Sequence, residues 1–223
     1  MDKQTHNLLI NVDNLTRGFG DTPELLFDRF KFSLYKWDFT VLMWRSGKGK
    51  TTFSKFLTWK LKAPRKSIYY KMSDLASFSD KEIQAYRREL GLIFQDSKLL
   101  KSLSVRDNII YPLKIYWIGE ATIEAKYARV RRELDLINIE DREIARLSWG
   151  ERQLVNMARA IIHDPEFIIA DEPTGNLDWE NTQKVADILI KFHREWKTIL
   201  LLTHDIHLLN YIKNSVNINL FKL

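Results

Sequence analysis

An apolar run at residues 39–43 feeds directly into Trp44-Arg45-Ser46-Gly47-Lys48-Gly49-Lys50-Thr51-Thr52. Apart from its first position this is the pattern G-x-x-x-x-G-K-[ST], a turn between a strand and a helix whose backbone N–H groups can surround phosphate oxygens. Ser46, Gly47, Lys48 and Gly49 would form the cradle. Lys50 would reach the β- and γ-phosphates, Thr51 would hold Mg2+, and Thr52 could touch the α-phosphate. Taken alone, the same residues also fit a Gly/Lys/Ser surface turn, because Trp44 stands where the pattern wants its leading glycine.

Three further strand ends carry polar side chains. Residues 167–170 are apolar and deliver Asp171 and Glu172. Adjacent residues on a strand point to opposite faces, so the two carboxylates suit separate tasks: Asp171 for Mg2+, Glu172 as a general base that polarises water. Solvated acids at a strand end are the plainer alternative. His204 follows the apolar run at 198–202, and Gln95 follows the run at 92–94. Side chains at three strand ends beside a phosphate loop converge on one site.

The elements that must hold these residues can be read from pattern. Strands are expected at 8–12, 30–34, 39–43, 68–70, 92–94, 167–170 and 198–202, and helices at 51–61, 80–90 and 182–195. Between about 96 and 146 the pattern is helical, with amphipathic stretches at 105–110 and 123–136. Strand–helix–strand alternation implies an α/β fold with a largely parallel sheet and a ligand site at the carboxyl ends of its strands.

The 223 residues suffice for one such unit. With 45% hydrophobic and 29% charged residues the chain reads as globular, and no apolar run nears the ~20 residues of a membrane span. The start lacks the apolar core of a signal peptide and there is no cysteine, so the cytosol is the expected compartment. A net charge of +6 is spread among 29 acidic residues, which reads as a solvated surface; no direct nucleic-acid partner is expected.

Residues 46–52, Gln95, Leu147-Ser148-Trp149-Gly150-Glu151, Asp171-Glu172, Asn176-Leu177-Asp178 and His204 together resemble, in order and spacing, the ABC-type ATPase subunits. The resemblance implies a P-loop NTPase fold with a mostly parallel core sheet and an N-terminal antiparallel β portion. The nucleotide-binding core would be 1–95 and 148–223, with an inserted helical subdomain at about 96–147. It implies ATP hydrolysis with ATP and Mg2+ bound. Glu172 would be the base, Lys50 and His204 would stabilise phosphate charge, and Thr51, Asp171 and Gln95 would lie at the metal. Gln95 would also link the site to the helical subdomain. Phe19 would stack on adenine. Ser148 and Gly150 would reach the γ-phosphate held by a second copy, with Asp178 on the seam of a head-to-tail homodimer enclosing two ATPs.

Residues 170–178 resemble the branch that holds the FtsE-type cell-division ATPases and the ATPases of lipoprotein-release and macrolide-export systems, and residues 87–96 look closest to the FtsE type. That implies an FtsX-like integral membrane partner and a location on the inner face of the plasma membrane. Measured against the family pattern, Trp37, Trp44, Trp59, Trp117, Trp149 and Trp196 stand where glycine is usual, and only Trp179 does not. One expectation is that UGA codons read as glycine in the cell have been translated as tryptophan. Others are a catalytically inactive nucleotide-binding scaffold, or tolerated substitutions. Returning the six residues would raise glycine from 8 to 14 of 223, near the ~7% usual in proteins.

Overall fold

The computed structural model describes residues 7–18, 25–44, 49–195 and 197–222. In chain order the elements are β1 Leu8–Gly18, β2 Leu25–Tyr35, β3 Phe39–Met43, α1 Lys50–Leu57, β4 Ile68–Tyr70, β5 Ser73–Asp74, α2 Asp80–Glu89 and β6 Leu90–Phe94. There follow α3 Val105–Ile115, α4 Glu120–Glu133, α5 Trp149–Ile161, β7 Phe167–Asp171, α6 Trp179–Arg194, β8 Thr198–Thr203, α7 Ile206–Lys213 and β9 Asn219–Lys222.

Two sheets result. Strands β6-β7-β8-β3-β9 form an all-parallel sheet, and β2-β1-β4-β5 an antiparallel one. The inner parallel strands β3, β7 and β8 are buried on both faces, as their unbroken apolar runs require. Alternation divides them between two cores: Phe167, Ile169, Leu200 and Leu202 join the antiparallel sheet and α1, while Ile168, Ala170, Ile199 and Leu201 join the helices. The second core also takes in Val105, Ile109 and Leu113 of α3 and Ile123, Tyr127 and Val130 of α4, which pack beside Val155 and Met157 of α5.

Helix starts follow local chemistry. Ser79 with Glu82, and Ser148 with Glu151, make reciprocal capping boxes at α2 and α5, and Asp178 accepts from the Asn181 N–H at the start of α6. β1 and β2 run well beyond the expected 8–12 and 30–34, because exposed polar residues on one side of a two-faced ribbon hide its length. α1 ends at Leu57 rather than residue 61, where the chain turns left-handed at Trp59 (φ 55°). The short edge strand β9 carried no strand signal, with no buried residue among its four.

Candidate active site

Because β3, β6, β7 and β8 are parallel and adjacent, Met43, Phe94, Asp171 and Thr203 end on one edge of the sheet. Chain leaving each end supplies the polar residues. Gly49, Lys50, Thr51, Thr52, Gln95, Asp171, Glu172 and His204 all line one cavity of about 650 Å3 at that edge. The strand-end residues expected to converge therefore do so. Phe19, Ser46, Gly47 and Lys48 lie outside the described residues.

Gly49 is the N-cap of α1 at φ 96°, and a Cβ there would stand 2.7 Å from Leu26 Cγ. Only glycine satisfies both demands, backbone and space. Lys50 follows as the first helical residue, which puts its ammonium and the free N–H groups of the first turn on the cavity side.

Glu172 is the most constrained side chain of the site. It is 4% exposed and its backbone has φ 47°, in the left-handed region. Its Oε1 pairs with Lys50 Nζ and with His204 Nδ1, while its Oε2 accepts from Thr203 Oγ1 at 3.0 Å. Thr203 Oγ1 in turn accepts from the Asp205 N–H at 3.1 Å, and the Glu172 N–H donates to Leu202 O at 2.9 Å. One carboxylate oxygen is thus tied down by the β8 end and the other faces Lys50, His204 and the cavity.

Asp171 points the other way, as strand alternation demands, and accepts from the buried Ser54 side chain of α1. Burial raises its carboxyl above the ordinary range and the Glu172 charge pushes the same way, opposed by Ser54 and Lys50. Thr51, Gln95 and Asp171 give the cavity a hydroxyl, an amide and a carboxylate, hard oxygen donors of the kind Mg2+ takes beside phosphate and water. Among the described residues no group of three His, Asp or Glu side chains is placed to hold a metal ion by itself, so the donor set fits a metal shared with phosphate better than an all-protein cage.

Ser148, Gly150 and Asp178 do not line that cavity. Gly150 and Asp178 meet elsewhere, through Asn181: its side chain donates to both Asp178 oxygens at 3.0 and 3.1 Å, and its Oδ1 lies 2.6 Å from where a Cβ on Gly150 would be. The exposed start of α5 and the start of α6 thereby form one rigid corner with Ser148 as N-cap.

Trp44 follows the end of β3, and Trp149 opens α5. Neither has positive φ, and the Trp44 indole does not enter the phosphate cavity. It is 3% exposed and packs on the rings of Phe27, Phe30 and Phe53 at 5.9, 5.9 and 5.4 Å, a more favourable place for an apolar ring than a polar cleft. Trp149 is the first residue of α5, half exposed, with the Arg152 guanidinium 5.6 Å from its ring centre. Thr203, Ser54 and Asn181 were not singled out from sequence. Only their partners reveal them.

The chain matches the family described as ABC transporter over residues 27–175. It is 35% identical over 187 residues to the cell division ATP-binding protein FtsE of Bacillus subtilis, covering 82% of this chain and 81% of that one. It is 37% identical over 172 residues to the methionine import ATP-binding protein MetN 1 of Bacillus cereus, covering 77% of this chain but only 50% of MetN. Among solved structures, a dimeric bacterial ABC transporter cassette superposes with a TM-score of 0.82 at 25% identity, over 96% of this chain and 94% of that chain. A dimeric cassette in a post-hydrolysis state, bound to ADP and Pi, superposes with a TM-score of 0.80 at 24% identity, over 91% of each chain.

Proposed function

This chain belongs to the ABC transporter ATPase family, and from that premise we propose that it is an FtsE-like subunit that couples ATP-driven dimer closure to an integral membrane partner in cell division. It is an ATP hydrolase that works with ATP and Mg2+ as the subunit of an ABC complex. The observation that carries the dimer reading is the division of the site: the cavity holds Lys50, Thr51, Gln95, Asp171, Glu172 and His204, while Ser148, Gly150 and Asp178 stand apart from it. A second copy, reversed, would bring its Ser148–Asp178 corner to the open mouth of the cavity.

In this reading Lys50 and the N-terminal N–H groups of α1 would bind the terminal phosphates, and Thr51, Asp171 and Gln95 would hold Mg2+, which when bound would supply charge neutralisation at the phosphates. Glu172, released from Lys50 as that ammonium turns to phosphate, takes a proton from the attacking water. His204, with its side chain well exposed at the rim, stabilises charge on the transferred phosphoryl group. The helices α3 and α4, inserted between β6 and α5, carry the motion outward as a subdomain, with Gln95 at its root. Among the described residues no helix is long and apolar enough to cross a membrane; in this reading, which rests on the likeness to FtsE, the spanning part is an FtsX-like partner and the protein sits at the cytoplasmic face of the plasma membrane.

Similarity to FtsE of Bacillus subtilis and of Streptococcus pneumoniae supports the division role. Comparable identity to MetN 1 favours a second reading, the ATPase of a transporter; the lipoprotein-release and macrolide-export branch belongs to the same alternative. Two measurements test the proposal. E172Q should elute as a dimer with saturating MgATP and as a monomer without it, and a persistent monomer overturns the shared site. Depletion in the native cell should leave cells unseparated; normal division with failed solute transport overturns the FtsE-like role.

A further inference from the structure

We infer that Trp37, Trp44, Trp59, Trp117, Trp149 and Trp196 are glycine in the protein the cell makes, each encoded by a UGA codon that the cell reads as glycine. The inference concerns the chain itself and stands whichever membrane partner it serves.

The backbone carries it. Trp59 lies one residue beyond Thr58, the C-cap of α1, at φ 55°. Its N–H donates to Phe56 O at 3.1 Å, and the Lys60 N–H donates to Lys55 O at 2.9 Å. This pair of bonds is the Schellman closure, whose left-handed residue is usually glycine. Trp117 repeats it at the end of α3: φ 57°, its N–H to Lys114 O at 3.1 Å, and the Ile118 N–H to Leu113 O at 3.1 Å. Trp37 has φ 67° as third residue of the turn closed by the Asp38 N–H on Tyr35 O at 3.3 Å, where a type II turn requires positive φ. At the end of α6 the C-cap is Glu195 and the Lys197 N–H donates to Phe192 O at 3.2 Å; residue 196 lies outside the described residues.

Three of the six described tryptophans thus occupy three positions whose geometry selects glycine. Tryptophan is among the residues least suited to positive φ. Two of these side chains gain little from their surroundings: Trp117 is 92% exposed and Trp37 half exposed, whereas Trp59 packs against the core and its indole donates to Leu75 O at 3.1 Å. Trp179 shows what a fitted indole looks like. It sits in helical backbone at the start of α6, edge-on to His207 at 6.3 Å and to Tyr211 at 5.9 Å. Eleven other described non-glycine residues also have positive φ, among them Lys66 at 58° and Met72 at 70°, so left-handed backbone by itself does not single out the tryptophans. What needs a common cause is that one bulky residue type recurs at glycine motifs in a chain with only 8 glycines in 223.

A single codon assigned to tryptophan in one genetic code and to glycine in another supplies that cause, and Trp44 and Trp149 then follow with the rest. The test is direct. The gene should read UGA at 37, 44, 59, 117, 149 and 196 and UGG at 179. Peptides of the protein purified from its own cells should weigh as glycine at the six positions and as tryptophan at 179. UGG at Trp59 and Trp117, or a peptide carrying tryptophan at either, overturns the inference.

Discussion

Glu172 and Trp117 both hold a side chain at left-handed φ, 47° and 57°, and they could hardly be more differently supported. Around Glu172, three polar partners, a strand-end backbone bond and near-complete burial fix a conformation that would otherwise relax. Around Trp117 there is solvent. Strain of about 1–3 kcal/mol persists at a functional site because its surroundings over-determine it, and the carboxylate edge of the parallel sheet is such a place. The turns behind that edge are not. Left-handed backbone at the site edge therefore speaks of chemistry, and left-handed tryptophan in the turns speaks of the residue's identity.

The comparison can be broken most forcefully at its functional end. E172Q should keep ATP binding while losing about 10²–10⁴ in turnover, measured by phosphate release; a loss below tenfold would remove Glu172 as base. Next in size, W44G/W149G should hydrolyse ATP about 100-fold faster than the tryptophan form, since the half-exposed Trp149 indole stands beside Ser148 and Gly150, where a second copy's nucleotide would have to approach closely. Equal turnover of the two would show the indoles to be harmless. T203V removes the hydrogen bond to Glu172 Oε2 and should lower kcat about tenfold with KM for ATP unchanged, whereas T203S should restore it. Smallest is W117G, which touches no site residue. Relief of left-handed strain at an exposed helix end should raise Tm by about 2–4 °C; a fall would mean that the tryptophan belongs there.

The fold was legible where periodicity and position agree. Apolar runs at 39–43, 167–170 and 198–202, alternating with helical segments, read as strands of a parallel sheet, which puts the polar residues just beyond them on a shared edge. Gln95, Asp171, Glu172 and His204 could be placed at one edge for that reason, and Lys50 by the phosphate-loop pattern. Thr203 and Ser54 were not, because a hydroxyl in a strand or helix has no pattern of its own until a carboxylate is placed against it. The length of β1 and β2 stayed hidden by their solvated face, and the inward turn of Trp44 depended on three phenylalanines from two separate elements.

The corner formed by Ser148, Gly150 and Asp178 lies off the cavity, and under the shared-site reading this makes catalysis obey mass action. A lone subunit would hold ATP without the contacts that finish its site, so turnover per chain should fall on dilution and recover on crowding. A membrane partner that seats two copies side by side would then raise their effective concentration without contributing a catalytic group. Placement alone would switch the enzyme on.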